Sequence, residues 1–317
     1  MLIALTFAAA VVIGLVVTPI VRHYAHRLQL LDEPGGRKIH LVAIPRLGGV
    51  AMFVAFGVAI GLAFLASPGL GSDASVRPDR LPAILIAASL LFIVGVVDDV
   101  RGMRALVKLV FQIVAALIVW AMGLSIDRLH FPWGMIELGV LALPVTVLWI
   151  VGVINAVNLI DGLDGLASAV VLTGLGAFGL IAASTGMTPV LPVVAATMGA
   201  AIGFLAYNLH PASIIMGDTG SMFLGLILST AAISLTQHGL NPVPPWVPII
   251  ALGLPIADTI WAVLRRTARG EAVFAPDRGH IHHQLLEHGL SQRDAMLSLT
   301  ALSAALGIAA VLLARVA

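Results

Sequence analysis

Runs of roughly 20 apolar residues recur along this chain, and one such run is what a helix needs to cross the ~30 Å hydrocarbon core of a bilayer. They fall at 2–21, 47–67, 81–97, 107–124, 138–155, 166–185, 189–207, 220–237, 247–264 and 296–315. Lipid offers a bare peptide group no partner, so each run must satisfy its own backbone as a helix. The runs are continuously apolar and do not alternate, which argues against a β-barrel. The expected fold is an all-α integral membrane protein, a polytopic bundle of about ten transmembrane helices in one domain spanning 1–317. A mean hydropathy of +1.06 with 10% charged residues excludes an ordinary soluble domain. The absence of cysteine excludes disulfides, thiolate catalysis and Cys-ligated metals.

The first run has no basic residue before it and Arg22 and Arg27 after it, so it reads as a retained anchor with its N-terminus outside. With ten spans, alternate loops collect the cations unevenly. One side receives Arg22, Arg27, Arg37, Lys38, Arg46, Arg101, Arg104, Lys108, Arg265, Arg266, Arg269, Arg278 and Arg293, and the other Arg77, Arg80, Arg128 and Arg315. The positive-inside rule makes the first side cytoplasmic and puts both termini outside. Pro132, Trp133, Pro244, Pro245 and Trp246 mark the opposite loops as short interfacial turns.

Eleven of the 16 acids and eight of the 10 histidines fall in the same five cytoplasmic loops. A polar site on one membrane face is the economical reading. Asp98 and Asp99 follow LLFIVGVV directly and precede Arg101, Arg104 and Lys108; carboxylates are disfavoured at a helix C-terminus, so a mere cap is a poor explanation. Neighbours on a helix point about 100° apart, so one of the pair can face a shared site while the other takes a structural partner.

In NAVNLIDGLDGLAS, Asn155, Asn158, Asp161 and Asp164 advance three at a time, which keeps neighbours on one side of a helix or 3₁₀ turn. Gly162 and Gly165 leave room for close approach to the backbone. Such a row of oxygens suits a hard cation and a polar ligand. MGDTGSMFLG places Asp218 and Thr219 where the span 220–237 begins, and a helix N-terminus favours phosphate. His280, His282 and His283 lack the i,i+4 spacing of a zinc-protease pair; with Arg278 they suit donation to phosphate or sugar oxygens. Asp258, inside the span 247–264, is an intramembrane acid for which a functional role and a structural partner such as a loop histidine are equally open.

Five stretches, GRKIHLVAIPRLGG (36–49), VVDDVRGM (96–103), NAVNLIDGLDGLA (155–167), GDTGSMFLG (217–225) and DRGHIHHQLLEHGLSQRDA (277–295), resemble the polyprenyl-phosphate N-acetylhexosamine-1-phosphate transferases. The match runs in order through every polar loop. HIHH followed by LLEHGLS is more similar to the undecaprenyl-phosphate GlcNAc-1-phosphate transferases of O-antigen and teichoic-acid initiation, the WecA and TagO type, than to the phospho-MurNAc-pentapeptide translocase with its three consecutive histidines.

The resemblance implies transfer of a sugar 1-phosphate from a UDP-amino sugar to undecaprenyl phosphate in the bacterial cytoplasmic membrane, with release of UMP. It implies Mg²⁺, with Mn²⁺ as the alternate, held by Asp218 and Asn158. Asp98 and Asp99 would be catalytic at the attacking lipid phosphate. Asn155, Asp161, Asp164 and Thr219 would line the substrate, and Arg278, His280, His282 and His283 would cover its sugar end. Lys38 or Arg46 would supply a phosphate-binding cation, although Pro45 and Arg46 stand where the translocase has a Lys and a small polar residue. The partners implied are donor, lipid acceptor, membrane lipid and a second copy of the chain, with no nucleic acid. A phosphate monoester is largely ionised at neutral pH, so direct attack is favoured over a phosphorylated Asp98. The competing readings are a secondary transporter, which would place its site near the bilayer midplane, and translocase-type specificity.

Overall fold

The computed structural model describes residues 1–33, 43–67, 80–187, 190–237, 242–272 and 279–316. Helices dominate: α1 (Leu2–Arg27), α2 (Gly48–Ala66), α3 (Arg80–Arg101), α4 (Ala105–Ala121), α5 (Ala142–Ile160), α6 (Leu166–Ser184), α7 (Leu191–Asn208), α8 (Gly217–Gln237), α9 (Trp246–Ala251), α10 (Gly253–Ala268), α11 (Ile281–Glu287) and α12 (Gln292–Val316). Two short antiparallel pairs complete them, β1 (Leu31–Asp32) with β2 (Ile44–Pro45) and β3 (Arg128–Phe131) with β4 (Gly134–Glu137). The chain is an all-α, multi-pass membrane protein.

Each of the ten apolar runs is helical over most of its length, and among the described residues 8 helices are long and apolar enough to span a bilayer unaided. α4 is one residue short of that length at 17 residues. The run at 247–264 divides into α9 and α10 at Leu252. The physical reason is Pro255, which has no N–H to offer the carbonyl of Ala251, so α9 ends there. The interfacial turn around Pro132 and Trp133 is a β-hairpin, with Arg128 opposite Glu137 and the rings of Phe131, Trp133 and Trp246 in one mutual cluster.

α8 is the axis of the bundle, with 94% of its apolar window enclosed, and α2, α3, α5 and α6 pack around it. Small residues permit this. A Cβ on Gly95 of α3 would come within 2.4 Å of Thr219 Cα, and one on Gly49 of α2 within 2.1 Å of the Gly220 nitrogen. The hydroxyls of α8 do not open the core to water, because Ser229, Thr230, Ser234 and Thr236 return their protons to carbonyls three or four residues back. α1 lies outside on α2 and α7, and α12 on α6 and α9. Alternation of the spans brings the connections α1–α2, α3–α4, α5–α6, α7–α8 and α10–α12 to one end of the bundle, the polar face.

Candidate active site

α3 carries its apolar run to Val97 and places Asp98 and Asp99 in its last turn, where their side chains take different partners. Asp99 turns inward, 8% exposed, and accepts hydrogen bonds from the backbone N–H of Asp218 at 2.9 Å, from that of Thr219 at 3.1 Å and from the Thr219 hydroxyl at 2.5 Å. These are the first amides of α8, so Asp99 closes the positive end of that helix dipole. Gly217 makes the approach possible: its φ is +71°, and a Cβ there would sit 2.5 Å from Asp99 Oδ2. Asp98 takes a different partner and accepts from Lys108 Nζ at 3.1 Å. The same ammonium donates to Asp218 Oδ2. One carboxylate oxygen each from Asp98, Asp99 and Asp218 lies within 4.8 Å of the others.

The spacing-of-three ladder begins on α5 and outlasts it. Asn155 donates to Gln112 Oε1 of α4 at 2.6 Å and to Val151 O at 2.8 Å. Asn158 stands beside Asp218 and donates to Ser221 Oγ of α8 at 2.8 Å, which leaves its amide oxygen available to a cation. Asp161 follows the last helical residue, and burial, helped by the negative charges of Asp218, Asp99 and Asp164, raises its carboxyl to about 7. Asp164 lies beyond the turn and binds the α7–α8 connection, meeting His210 Nδ1 at 2.7 Å and accepting from the Ala212 N–H at 3.1 Å. Asn155, Asn158 and Asp164 therefore serve three different neighbours, and the turn 161–165, which follows the end of α5 at Ile160, separates Asp164 from the other two.

α11 brings the histidines against that turn. His280 Nδ1 lies 2.8 Å from Asp258 Oδ2 of α10. His282 is 2% exposed, stacks on His280 with ring centroids 5.8 Å apart, and meets the tilted ring of His283 at 4.3 Å. Burial and the two neighbouring imidazoles push its pKa down to about 4, so it is neutral at physiological pH. Its Nε2 is directed at Gly162, where an added Cβ would approach it to 2.1 Å.

The sequence-derived candidates are thus distributed as follows. Asp98, Asn158, Asp218 and Lys108 converge, with Asp99 and Thr219 as the scaffold beneath them. Asp161 borders that group, and His280, His282 and His283 border Asp161 through Gly162. Arg46 pairs with Asp32 at the β1–β2 ladder. Lys38 and Arg278 lie outside the described residues. Sequence reading counted Lys108 only among the neighbouring loop cations. The signal was present: Lys108 and Gln112, four apart, are the polar residues of an otherwise apolar α4, hence one polar stripe.

Every side chain at the convergence point offers oxygen, apart from the Lys108 ammonium. Three carboxylates and an amide fit a hard divalent cation such as Mg²⁺, which takes carboxylates together with phosphate oxygens. A polytopic helical bundle that gathers carboxylates, an amide and an ammonium at one end of its spans defines an integral membrane protein with an oxygen-rich polar site on one face. The glycosyl transferase family 4 description matches residues 81–236, which hold the acid pair, the ladder and the α8 start. A Bacillus subtilis (strain 168) protein named probable undecaprenyl-phosphate N-acetylglucosaminyl 1-phosphate transferase is 38% identical over 98% of this chain and 85% of its own length. A Mycobacterium tuberculosis decaprenyl-phosphate N-acetylglucosaminephosphotransferase is 34% identical over 93% of this chain and 78% of its own. A Yersinia pestis undecaprenyl-phosphate alpha-N-acetylglucosaminyl 1-phosphate transferase is 29% identical over 92% and 79%. The chain belongs to glycosyl transferase family 4, and it is an enzyme of the phosphotransferase kind.

Proposed function

We propose that this protein transfers N-acetylglucosamine 1-phosphate from UDP-N-acetylglucosamine to undecaprenyl phosphate, at the cytoplasmic face of a bacterial membrane. The observation that carries the reading is the meeting of Asp98, Asp218 and Lys108 at the end of membrane-spanning helices, where a lipid phosphate and a soluble nucleotide sugar can reach the same point. The relatives are named for an undecaprenyl or decaprenyl phosphate acceptor and an N-acetylglucosamine phosphate group, which supports this reading.

An oxygen of the prenyl phosphate attacks the phosphorus that bears the sugar. The bond from that phosphorus to the bridging oxygen breaks, and UMP departs with the oxygen. Both reactants are anions, so charge neutralisation is the main task, and phosphoryl transfer is catalysed largely by positioning and electrostatics. Lys108 supplies one positive charge. Asp218 and the Asn158 amide oxygen would hold Mg²⁺, which supplies further positive charge to the diphosphate when bound. Asp98, whose carboxylate lies between Lys108 and Asp218, orients the acceptor and takes any proton left on it. Little base strength is needed, since the second pKa of a phosphate monoester is about 6. Asp99, with three donors on its oxygens, holds the α8 amides in place for the donor phosphates. Asp161 and the histidine helix close the nucleotide-sugar side.

An apolar groove of about 570 Å³ runs between α5, α8 and α10, lined among others by Gly152, Val153, Ala156, Ile233, Ile256 and Ile260. It would receive the start of the prenyl chain, leaving the phosphate at the polar rim.

The test is a purified-protein assay with undecaprenyl phosphate, Mg²⁺ and a panel of UDP-amino sugars, following UMP and the lipid diphosphate product. Turnover should be abolished in Asp98→Asn and in Asp218→Asn. Wild-type, Mg²⁺-dependent release of UMP by Asp218→Asn would remove the metal assignment.

A further inference from the structure

Asp258 is a carboxylate on α10, just past the Pro255 break, and only 6% exposed. Its two oxygens are both in use, and both contacts lead to the histidine helix. Oδ2 lies 2.8 Å from His280 Nδ1, and Oδ1 accepts the Ile281 N–H at 2.9 Å. The second contact satisfies one of the amides left open at the start of α11. The first decides the state of the imidazole: beside an acceptor-only carboxylate, Nδ1 must carry the proton, which leaves Nε2 as the nitrogen able to accept or exchange one. From His280 the arrangement continues by ring stacking to His282, and from His282 Nε2 to the backbone at Gly162, between Asp161 and Asp164.

We infer that Asp258 is a positioning residue for the transfer reaction: it docks the histidine helix on the 161–165 turn and sets the tautomer of His280. The inference rests on the proposed reaction for its kinetic consequence and on geometry alone for its structural one. It accounts for a carboxylate buried at that depth, and it makes α10 the element that carries the sugar-side histidines. The interruption after α9 contributes by ending one helix at Ala251 and starting another whose residue 258 reaches the polar face.

The informative variant is Asp258→Asn. Its amide oxygen can still accept the Ile281 N–H, whereas its NH₂ donates to His280 Nδ1 and drives the proton to Nε2, the wrong-tautomer situation known when the buried aspartate of a catalytic triad is replaced by asparagine. The expected result has three parts. Hydrogen exchange over 280–287 stays near wild type, the ¹⁵N shifts of His280 report the inverted tautomer, and kcat for UMP release falls at least tenfold while KM for the UDP-sugar changes less than threefold. Asp258→Glu, which restores a carboxylate, should recover the wild-type tautomer and part of the rate. Gly162→Ala provides an independent arm, since its Cβ displaces His282 without touching Asp258; combined with Asp258→Asn it should cost less than the product of the two single losses. An unchanged His280 tautomer in Asp258→Asn, or an inverted tautomer with wild-type kcat, would overturn the inference. Should the wild-type protein release no UMP from any UDP-amino sugar, the proposed reaction fails, and the tautomer and exchange measurements still decide the structural claim by themselves.

Discussion

Replacing Lys108 by methionine keeps the length of the side chain and removes its charge. In the fold its ammonium lies 3.1 Å from Asp98 Oδ2 and in contact with Asp218. At an effective dielectric constant of about 20, each such contact is worth roughly 5 kcal/mol of attraction, and two carboxylates at the cluster's 4.8 Å limit repel by roughly 3.5 kcal/mol. The three side chains are 12–23% exposed, so solvent reduces both figures. A loss of about 2–4 kcal/mol in EDTA follows, at the scale of breaking a partly buried ion pair. A divalent cation that binds the folded protein restores stability by mass action, and it binds more tightly where no ammonium shares the carboxylates. Lys108→Met should therefore melt several degrees below wild type in EDTA, regain most of that difference in millimolar Mg²⁺, and turn over at least ~100-fold more slowly. Thermal unfolding in detergent across a Mg²⁺ titration, with UMP release in parallel, measures all three. A melting temperature in EDTA equal to wild type, or a Mg²⁺ stabilisation no larger than wild type's, would refute the idea that charge balance among Asp98, Asp99, Lys108 and Asp218 organises the site.

The paired acids should separate in their effects: Asp98→Asn loses turnover and keeps its melting temperature, whereas Asp99→Ala strands two α8 amides and a hydroxyl and lowers stability by about 3 kcal/mol or more. Gly95→Ala, whose Cβ would meet Thr219 Cα at 2.4 Å, should displace the α8 start and reduce both stability and rate; wild-type values for both would show that α3 and α8 can part without consequence. Two groups make stability depend on pH in opposite directions in EDTA. Asp161, about 7 in the fold against 3.8 in the unfolded chain, favours folding below pH ~4, and that contribution is lost as pH rises through 7. His282, about 4 against 6.5, contributes fully above pH 6.5 and loses its share as pH falls through 4. Melting curves from pH 4 to 8 should thus find Asp161→Asn more acid-sensitive than wild type and His282→Gln less so. Filling the lipid-facing groove with Ala156→Phe should raise KM for undecaprenyl phosphate and leave KM for the UDP-sugar unchanged; an equal rise in both would place the prenyl chain elsewhere.

The span pattern was legible in the sequence because a lipid environment leaves a long apolar run one way to satisfy its backbone, and because alternation of spans forces the acidic loops to one end. The divergence of Asp98 from Asp99 was legible too, since neighbours on a helix cannot face the same way. Lys108 was counted with the loop cations although it stands at the edge of the apolar run 107–124; α4 begins two residues before that run, at Ala105, so the lysine lies inside the helix and within reach of Asp98 and Asp218.

Composition and spacing by themselves determined a membrane bundle with a polar, oxygen-rich end, since these follow from local rules of burial and helical period. Which partner each polar group takes was decided only by tertiary structure. Asn155 meets α4 and Asn158 meets α8 because α5 is packed between those helices, Asp164 meets the α7–α8 connection because the chain turns after Ile160, and Asp258 finds His280 across 22 residues. Hydrogen bonds between distant segments depend on where the packed backbones come to lie, which no local period encodes.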